Sequence, residues 1–202
     1  MRKSLIFVLI IALLCPAGAS AAERPKYLAL IFNGCHRDPE ELLRGLEARG
    51  ARVTFFLEEK DAPRAENFRV RGHEAGILTD MGPELSRREI AGVLKDREQQ
   101  MNGRIRLLWA AAGRSDGLRQ VAGALGFSFV LPSGALHPLT PAKDGEVLAV
   151  DRKMSTVSLL ELVDDLQSQG FVFVTVPELA RIRGISLRPG ELYRNFSPRE
   201  VM

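Results

Sequence analysis

Residues 26–57 constrain the fold of this chain more than any other stretch. Tyr27-Leu-Ala-Leu-Ile-Phe32 is almost wholly apolar, the pattern of a strand buried on both faces. Asp38 and Pro39 supply an N-cap and a first-turn proline for a helix over 40–49. Leu42, Leu43 and Leu46 recur there at helical spacing, and Gly50 closes the helix. Residues 53–57 then read as a second strand. A strand, a helix and a strand in so short a span form a parallel pair joined by a crossover. Loops at the carboxyl ends of such strands carry the chemistry of α/β proteins. Asn33-Gly34-Cys35-His36 is therefore the first place to look for function.

The alternation continues along the chain. Residues 73–79 read as a third strand. Ser86 with Glu89 three positions on is a capping box. The helix that it opens runs to about residue 101, with Ile90, Val93, Leu94 and Met101 on its apolar side. Residues 105–110, 127–131, 146–150 and 171–176 supply four more strands. Ser115 or Asp116 caps a helix to 125. Ser155 or Thr156 starts another to 169, burying Leu159, Leu160, Leu162, Val163 and Leu166. A short helix over 177–181 closes the pattern. Residues 61–71, polar and containing Pro63, read as a loop with room for a helical turn, and the proline- and glycine-rich residues 132–145 read as a loop. Residues 183–202 read as an ordered but irregular tail. Seven short strands alternating with helices predict an α/β fold, an incomplete (β/α)7-type barrel rather than a doubly wound sheet. No glycine-rich phosphate loop follows any strand, which speaks against a nucleotide site.

Residues 1–22 read as a secretory leader. Arg2 and Lys3 precede an apolar run from Leu5 to Leu14, too short to span a bilayer comfortably. Pro16 and Gly18 break it, and Ala19-Ser20-Ala21-Ala22 offers small residues for cleavage. The expected organisation is a leader over 1–22, one domain over 23–182 and the tail. A secreted or periplasmic location follows, with no stable membrane span once the leader is gone. The formal charge is +3, of which Arg2 and Lys3 carry two, leaving 28 − 2 = 26 basic against 25 acidic residues. A balance of about +1 with dispersed basic residues gives no reason to expect nucleic acid as a partner. Of the two cysteines, Cys15 lies in the leader, so Cys35 has no internal disulfide partner and reads as a small buried apolar residue.

Four stretches in this order resemble the polysaccharide deacetylases, the NodB-homology domain of carbohydrate esterase family 4. Leu28-Ala-Leu-Ile-Phe32 resembles the family's first strand, which runs into Thr-Phe-Asp-Asp-Gly-Pro. Gly50-Ala-Arg-Val-Thr-Phe-Phe-Leu57 resembles Gly-Val-Lys-Ala-Thr-Phe-Phe-Val, and Gly72-His-Glu-Ala-Gly76 resembles Gly-His-Glu-Ile-Gly. Residues 166–179 resemble the final helix and strand. The resemblance implies a metal-dependent amide hydrolase. One Asp and two His hold a divalent ion, often zinc, that polarises the substrate amide and activates water. A second Asp acts as base, and a late His protonates the leaving amine.

The residues at the matching positions cannot do this. The base Asp falls on Asn33 and the metal Asp on Gly34. The ligand histidines fall on Leu78 and Gly82, the orienting Arg on Trp109, and the acid His on Val150, beside a retained Asp151. An amide is no carboxylate base, and neither leucine nor glycine offers an ion a side-chain donor. Asn33, His36, Asp80, Trp109, Arg114 and Asp151 are the candidate glycan-binding residues. Trp109, the single tryptophan, either offers an aromatic platform to a sugar ring or fills the space of the missing ion and Arg. His36, Asp38 and Asp80 are the candidates for a rebuilt metal site. Against it, Asp38 reads as a helix cap, His36 as exposed loop, His73 as hydrogen-bonded below the cleft, and Asp151 as a partner for Arg or Lys. The resemblance thus points to a secreted deacetylase-like protein of carbohydrate metabolism. It is expected to be catalytically inactive, to need no cofactor, and to bind a cell-wall or exopolysaccharide glycan or a protein partner. Two alternatives stay open: a divergent zinc hydrolase removing acetyl groups from N-acetylated sugars, and a scaffold that binds no sugar.

Overall fold

The structure, a computed structural model, describes residues 24–36, 38–81, 84–103, 106–110 and 115–197. In chain order the elements are β1 (Lys26–Asn33), α1 (Pro39–Ala48), β2 (Thr54–Leu57), a 3-10 segment (Glu59–Arg64), α2 (Ala65–Val70), β3 (Glu74–Thr79) and α3 (Arg87–Gln100). There follow β4 (Leu107–Ala110), α4 (Asp116–Ala124), β5 (Ser128–Val130), β6 (Gly134–Ala135), β7 (Val147–Val150), α5 (Thr156–Ser168), β8 (Phe171–Phe173), α6 (Val176–Ile182) and β9 (Leu192–Tyr193). The strands form one parallel sheet in the order β6-β7-β1-β2-β3-β4-β5-β9. β1 is shared on one side, pairing with β8 over Lys26–Leu28 and with β7 over Ala29–Phe32. The result is a curled, incomplete α/β barrel, as the alternating pattern predicts.

Strand alternation sorts the apolar residues into two layers. Leu28, Leu30, Phe32, Phe55, Leu57, Ile77 and Leu108 face the helices and pack on Leu42, Leu43, Leu46, Leu94, Leu159 and Val163. Ala29, Ile31, Phe56, Leu78, Leu107, Trp109 and Val147 face the concave side, where Val176, Leu179 and Phe196 cover them. Each fully buried aliphatic side chain contributes about 1.5–3 kcal/mol, so both layers hold the curl. The predicted capping box is present: Ser86 Oγ accepts from Glu89 N while Glu89 Oε2 accepts from Ser86 N. A second box, Thr175 with Glu178, opens α6. Among the described residues no helix is long and apolar enough to cross a membrane.

Three expectations need correction. Residues 59–70 are helical rather than loop. Ala62, Ala65 and Phe68 are buried at a spacing of three, a stripe masked by the charges around it. Asp38 stands at the N-cap of α1, but its side chain makes no capping bond. The tail is ordered as expected over its described residues, but not wholly irregular: β9 pairs with β5, and Asn195 bridges antiparallel to Glu146 at the foot of β7. Phe196 N donates to Gly145 O at 2.6 Å, and the Phe196 ring is only 1% exposed, stacked on Tyr193 at 5.7 Å. Residues 192–196 therefore strap β5 to β7 across the gap in the barrel.

Candidate functional site

The alternation that buries Ile31, Phe56 and Leu78 on the concave side carries Asn33, Glu58 and Asp80 to the same side, at the carboxyl ends of β1, β2 and β3. These three line a cavity of about 470 Å³ together with Glu59, Lys60, Leu78, Thr79, Arg97 and Arg152. Glu58 is its electrostatic hub. Lys60 Nζ lies 2.7 Å from Glu58 Oε2, and Arg152 Nη1 lies 3.2 Å from Oε1. The bond from Lys60, and after it the charge of Arg152, hold the Glu58 carboxyl below the usual carboxylate range. Arg97 Nη2 donates to Glu59 Oε2 at 2.7 Å, while its buried Nη1 has no partner among the described residues. The Asn33 and Asp80 side chains make no hydrogen bond to any described residue and remain open to the cavity.

Gly34 decides what the mouth can hold. Its φ of +84° is a backbone state that side chains rarely adopt. A Cβ built there would stand 3.1 Å from Arg152 Nη2. The guanidinium thus occupies the space that a side chain at position 34 would use. At these positions glycine offers a divalent ion no side-chain ligand, Leu78 is apolar, and the Arg152 guanidinium adds a repelling charge. Among the described residues no three of His, Cys, Asp and Glu form a group able to hold a metal. Gly82 and Arg114 lie outside the described residues, as does the leader.

The structure separates the other predicted residues. His36 and Asp38 line a different hollow, beside Met154 and Thr156, away from Asp80. His36 is no free loop residue, because its Nε2 lies 3.0 Å from Met154 O and its Nδ1 3.5 Å from Thr156 Oγ1. Trp109 is 9% exposed, packs edge-to-face on Phe56 at 5.5 Å, and does not line the mouth cavity. It fills the barrel interior rather than offering a platform. Val150 is buried on the helix side. Asp151 is exposed and accepts from Lys153 N at 2.8 Å, a local turn in place of the expected ion pair. His73 is buried, accepts from Val53 N through Nδ1, and leaves Nε2 without a partner. Burial pushes its pKa down to about 4. Burial and then the negative charge of Asp61 push the Cys35 thiol up to about 12, which makes it a poor nucleophile. Sequence reasoning missed Glu58, Lys60, Arg97 and Arg152. The strand-end rule that selected Asn33 and Asp80 would also have selected residues 58–60 and 152; Arg97, deep in α3, carried no such signal.

No family model matches the sequence, and no curated protein matches it. Solved structures do. The Xyl-CE4 domain of a multidomain xylanase from the hindgut metagenome of Trinervitermes trinervoides superposes with a TM-score of 0.69 at 18% identity, over 85% of this chain and 98% of that one. Its fold is the fold of the family 4 carbohydrate esterases. A peptidoglycan deacetylase of Bacillus subtilis matches with a TM-score of 0.67 at 19% identity, over 80% of this chain and 93% of its own. A mutant of a CE4-family pseudoenzyme of Bacillus anthracis, described as having restored enzymatic activity, matches with a TM-score of 0.63 at 18% identity, over 77% and 68%. The CE4 fold accounts for the parallel curl, and a protein described as a CE4-family pseudoenzyme shares it.

Proposed function

We propose that this chain is a divergent, secreted CE4-fold protein of carbohydrate metabolism that binds a glycan at its strand-end mouth and does not deacetylate it. The observation that carries this reading is the combination at one place of a preserved polar cavity and a lost reaction centre. Asn33, Gly34 and Leu78 stand at the positions that the resemblance assigns to the base and the metal ligands, and the Arg152 guanidinium covers Gly34. A cavity of about 470 Å³ suits a small number of sugar units. Asn33, Thr79, Asp80 and the arginines supply the mix of donors and acceptors that hydroxyl groups require. Selection of a glycan rather than a protein as partner rests on this concave, hydroxyl-matching lining.

The test pairs catalysis with binding. Purified protein is incubated with N-acetylglucosamine tetramer and with fragments of bacterial cell wall, with zinc, cobalt or nickel supplied, and released acetate is measured. Binding of the same oligosaccharides is followed by calorimetry. The reading predicts no acetate above the protein-free control and saturable binding. Chelator-sensitive acetate release would establish the hydrolase instead, and absence of both signals would leave the scaffold reading.

A further inference from the structure

Where the resemblance would place a metal, the protein itself puts a positive charge, the Arg152 guanidinium over Gly34. Arg152 Nη1 is engaged by Glu58, but Nη2 stands over Gly34 and makes no hydrogen bond to a described residue. The Arg152 side chain is 51% exposed, so a ligand can reach it. Arg97 lines the same cavity, but its Nη2 is held by Glu59 and its unpartnered Nη1 is buried, so it lends the site charge rather than a free donor. Lys60 completes a set of three cations. Glu58, Glu59 and Asp80 balance these cations; both oxygens of Glu58 and Oε2 of Glu59 are engaged by them, which leaves Arg152 Nη2 as the accessible guanidinium donor on that part of the wall. Asp80 alone offers an unpaired carboxylate, and it suits ring hydroxyls as donors. A planar carboxylate is the natural partner of a guanidinium fork, through charge-assisted and often bidentate hydrogen bonds.

We propose that the glycan bound at the mouth is a carboxylate-bearing sugar, its carboxylate received by Arg152 and its ring hydroxyls by Asp80 and Asn33. This rests on the reading of the mouth as a glycan site and names the class of sugar that it takes. The carboxylate can come from a uronic acid or from the lactyl group of a wall amino sugar, and both present the same chemistry to the guanidinium. A neutral N-acetylated sugar would leave Arg152 Nη2 without an anionic acceptor.

The experiment compares three probes by calorimetry: galacturonic acid tetramer, the N-acetylglucosamine–N-acetylmuramic acid disaccharide, and N-acetylglucosamine tetramer. At least one acidic probe is expected to bind about tenfold or more tighter than the neutral tetramer, and which one does so identifies the source. Raising salt from about 0.05 to 0.5 M should weaken the acidic complex and leave any neutral one nearly unchanged. Arg152→Gln should abolish the acidic preference, and Arg152→Lys, which keeps charge but not the fork, should retain part of it; melting curves confirm folding of both. Equal or tighter binding of the neutral tetramer overturns the proposal and leaves glycan binding standing. An acidic preference unchanged in Arg152→Gln, or insensitive to salt, also overturns it. Failure of all three probes to bind overturns both the proposal and the glycan-site reading.

Discussion

Phe196→Ala tests whether the tail belongs to the barrel. The ring is 1% exposed and packs within the concave layer beside Tyr193, while its backbone N–H holds Gly145 O. Truncation removes the ring but leaves the backbone bond. Phe→Ala at a buried site costs about 3–5 kcal/mol through lost transfer energy and the cavity left behind. The segment lies near the chain end and can partly collapse into the space, so the lower end, about 3 kcal/mol, is expected. Against a total stability of about 5–15 kcal/mol the variant should still fold. With a urea slope of about 1–3 kcal/mol per molar, its midpoint should fall by about 1 M or more. Far-ultraviolet circular dichroism and the fluorescence of buried Trp109 give two probes of one transition. Leu139→Ala, at a side chain 86% exposed, is the control and should change stability by less than about 0.5 kcal/mol. A Phe196→Ala loss no larger than that control would refute the strap across the β5–β7 gap.

Other outcomes follow from single side chains. His73 has its pKa lowered from 6.5 to about 4, so the unfolded chain binds its proton first. The stability this contributes is complete above about pH 6.5 and is lost as pH falls towards 4, by about 3 kcal/mol. His73→Asn, which keeps an acceptor for Val53 N, should remove that slope from urea titrations run across the window. Trp109→Phe should cost about 1–3 kcal/mol in packing and leave glycan affinity within about twofold, because the indole lies inside the barrel. A large affinity loss by calorimetry would return Trp109 to the site. The Cys35 thiol, at about 12, should react with iodoacetamide roughly a thousandfold more slowly in the native protein than in urea-unfolded chain.

Much of the fold was legible because its signals are local and repeated. Residues 27–32 are apolar on both faces, Leu42, Leu43 and Leu46 keep helical period, and Ser86 with Glu89 announces a helix start. β9 and β6 were not legible: two residues carry no period, and their pairing depends on what the rest of the barrel leaves open. The direction of Trp109 could have been read from parity, since Leu107 and Trp109 alternate with Leu108 and Ala110. Position after a strand led to two residues that line the strand-end cavity, Asn33 and Asp80, whereas residue type led to His36 and Asp38, which line a different hollow. His36 is tied to Met154 and Thr156, contacts more than a hundred residues away in sequence. The pairing of Arg152 with Glu58 over Gly34 is likewise a product of the closed curl, joining the ends of β7 and β2 across β1.

Metal-free binding of a glycan at the strand-end mouth can be followed by nuclear magnetic resonance of the isotope-labelled protein, with chelator present throughout and wall-derived oligosaccharides added stepwise. Saturable amide shifts are expected, centred on Asn33, Glu58, Thr79, Asp80 and Arg152, with His36 and Trp109 little changed. Shifts confined to another surface, or shifts at the mouth that appear only when zinc replaces the chelator, would contradict it.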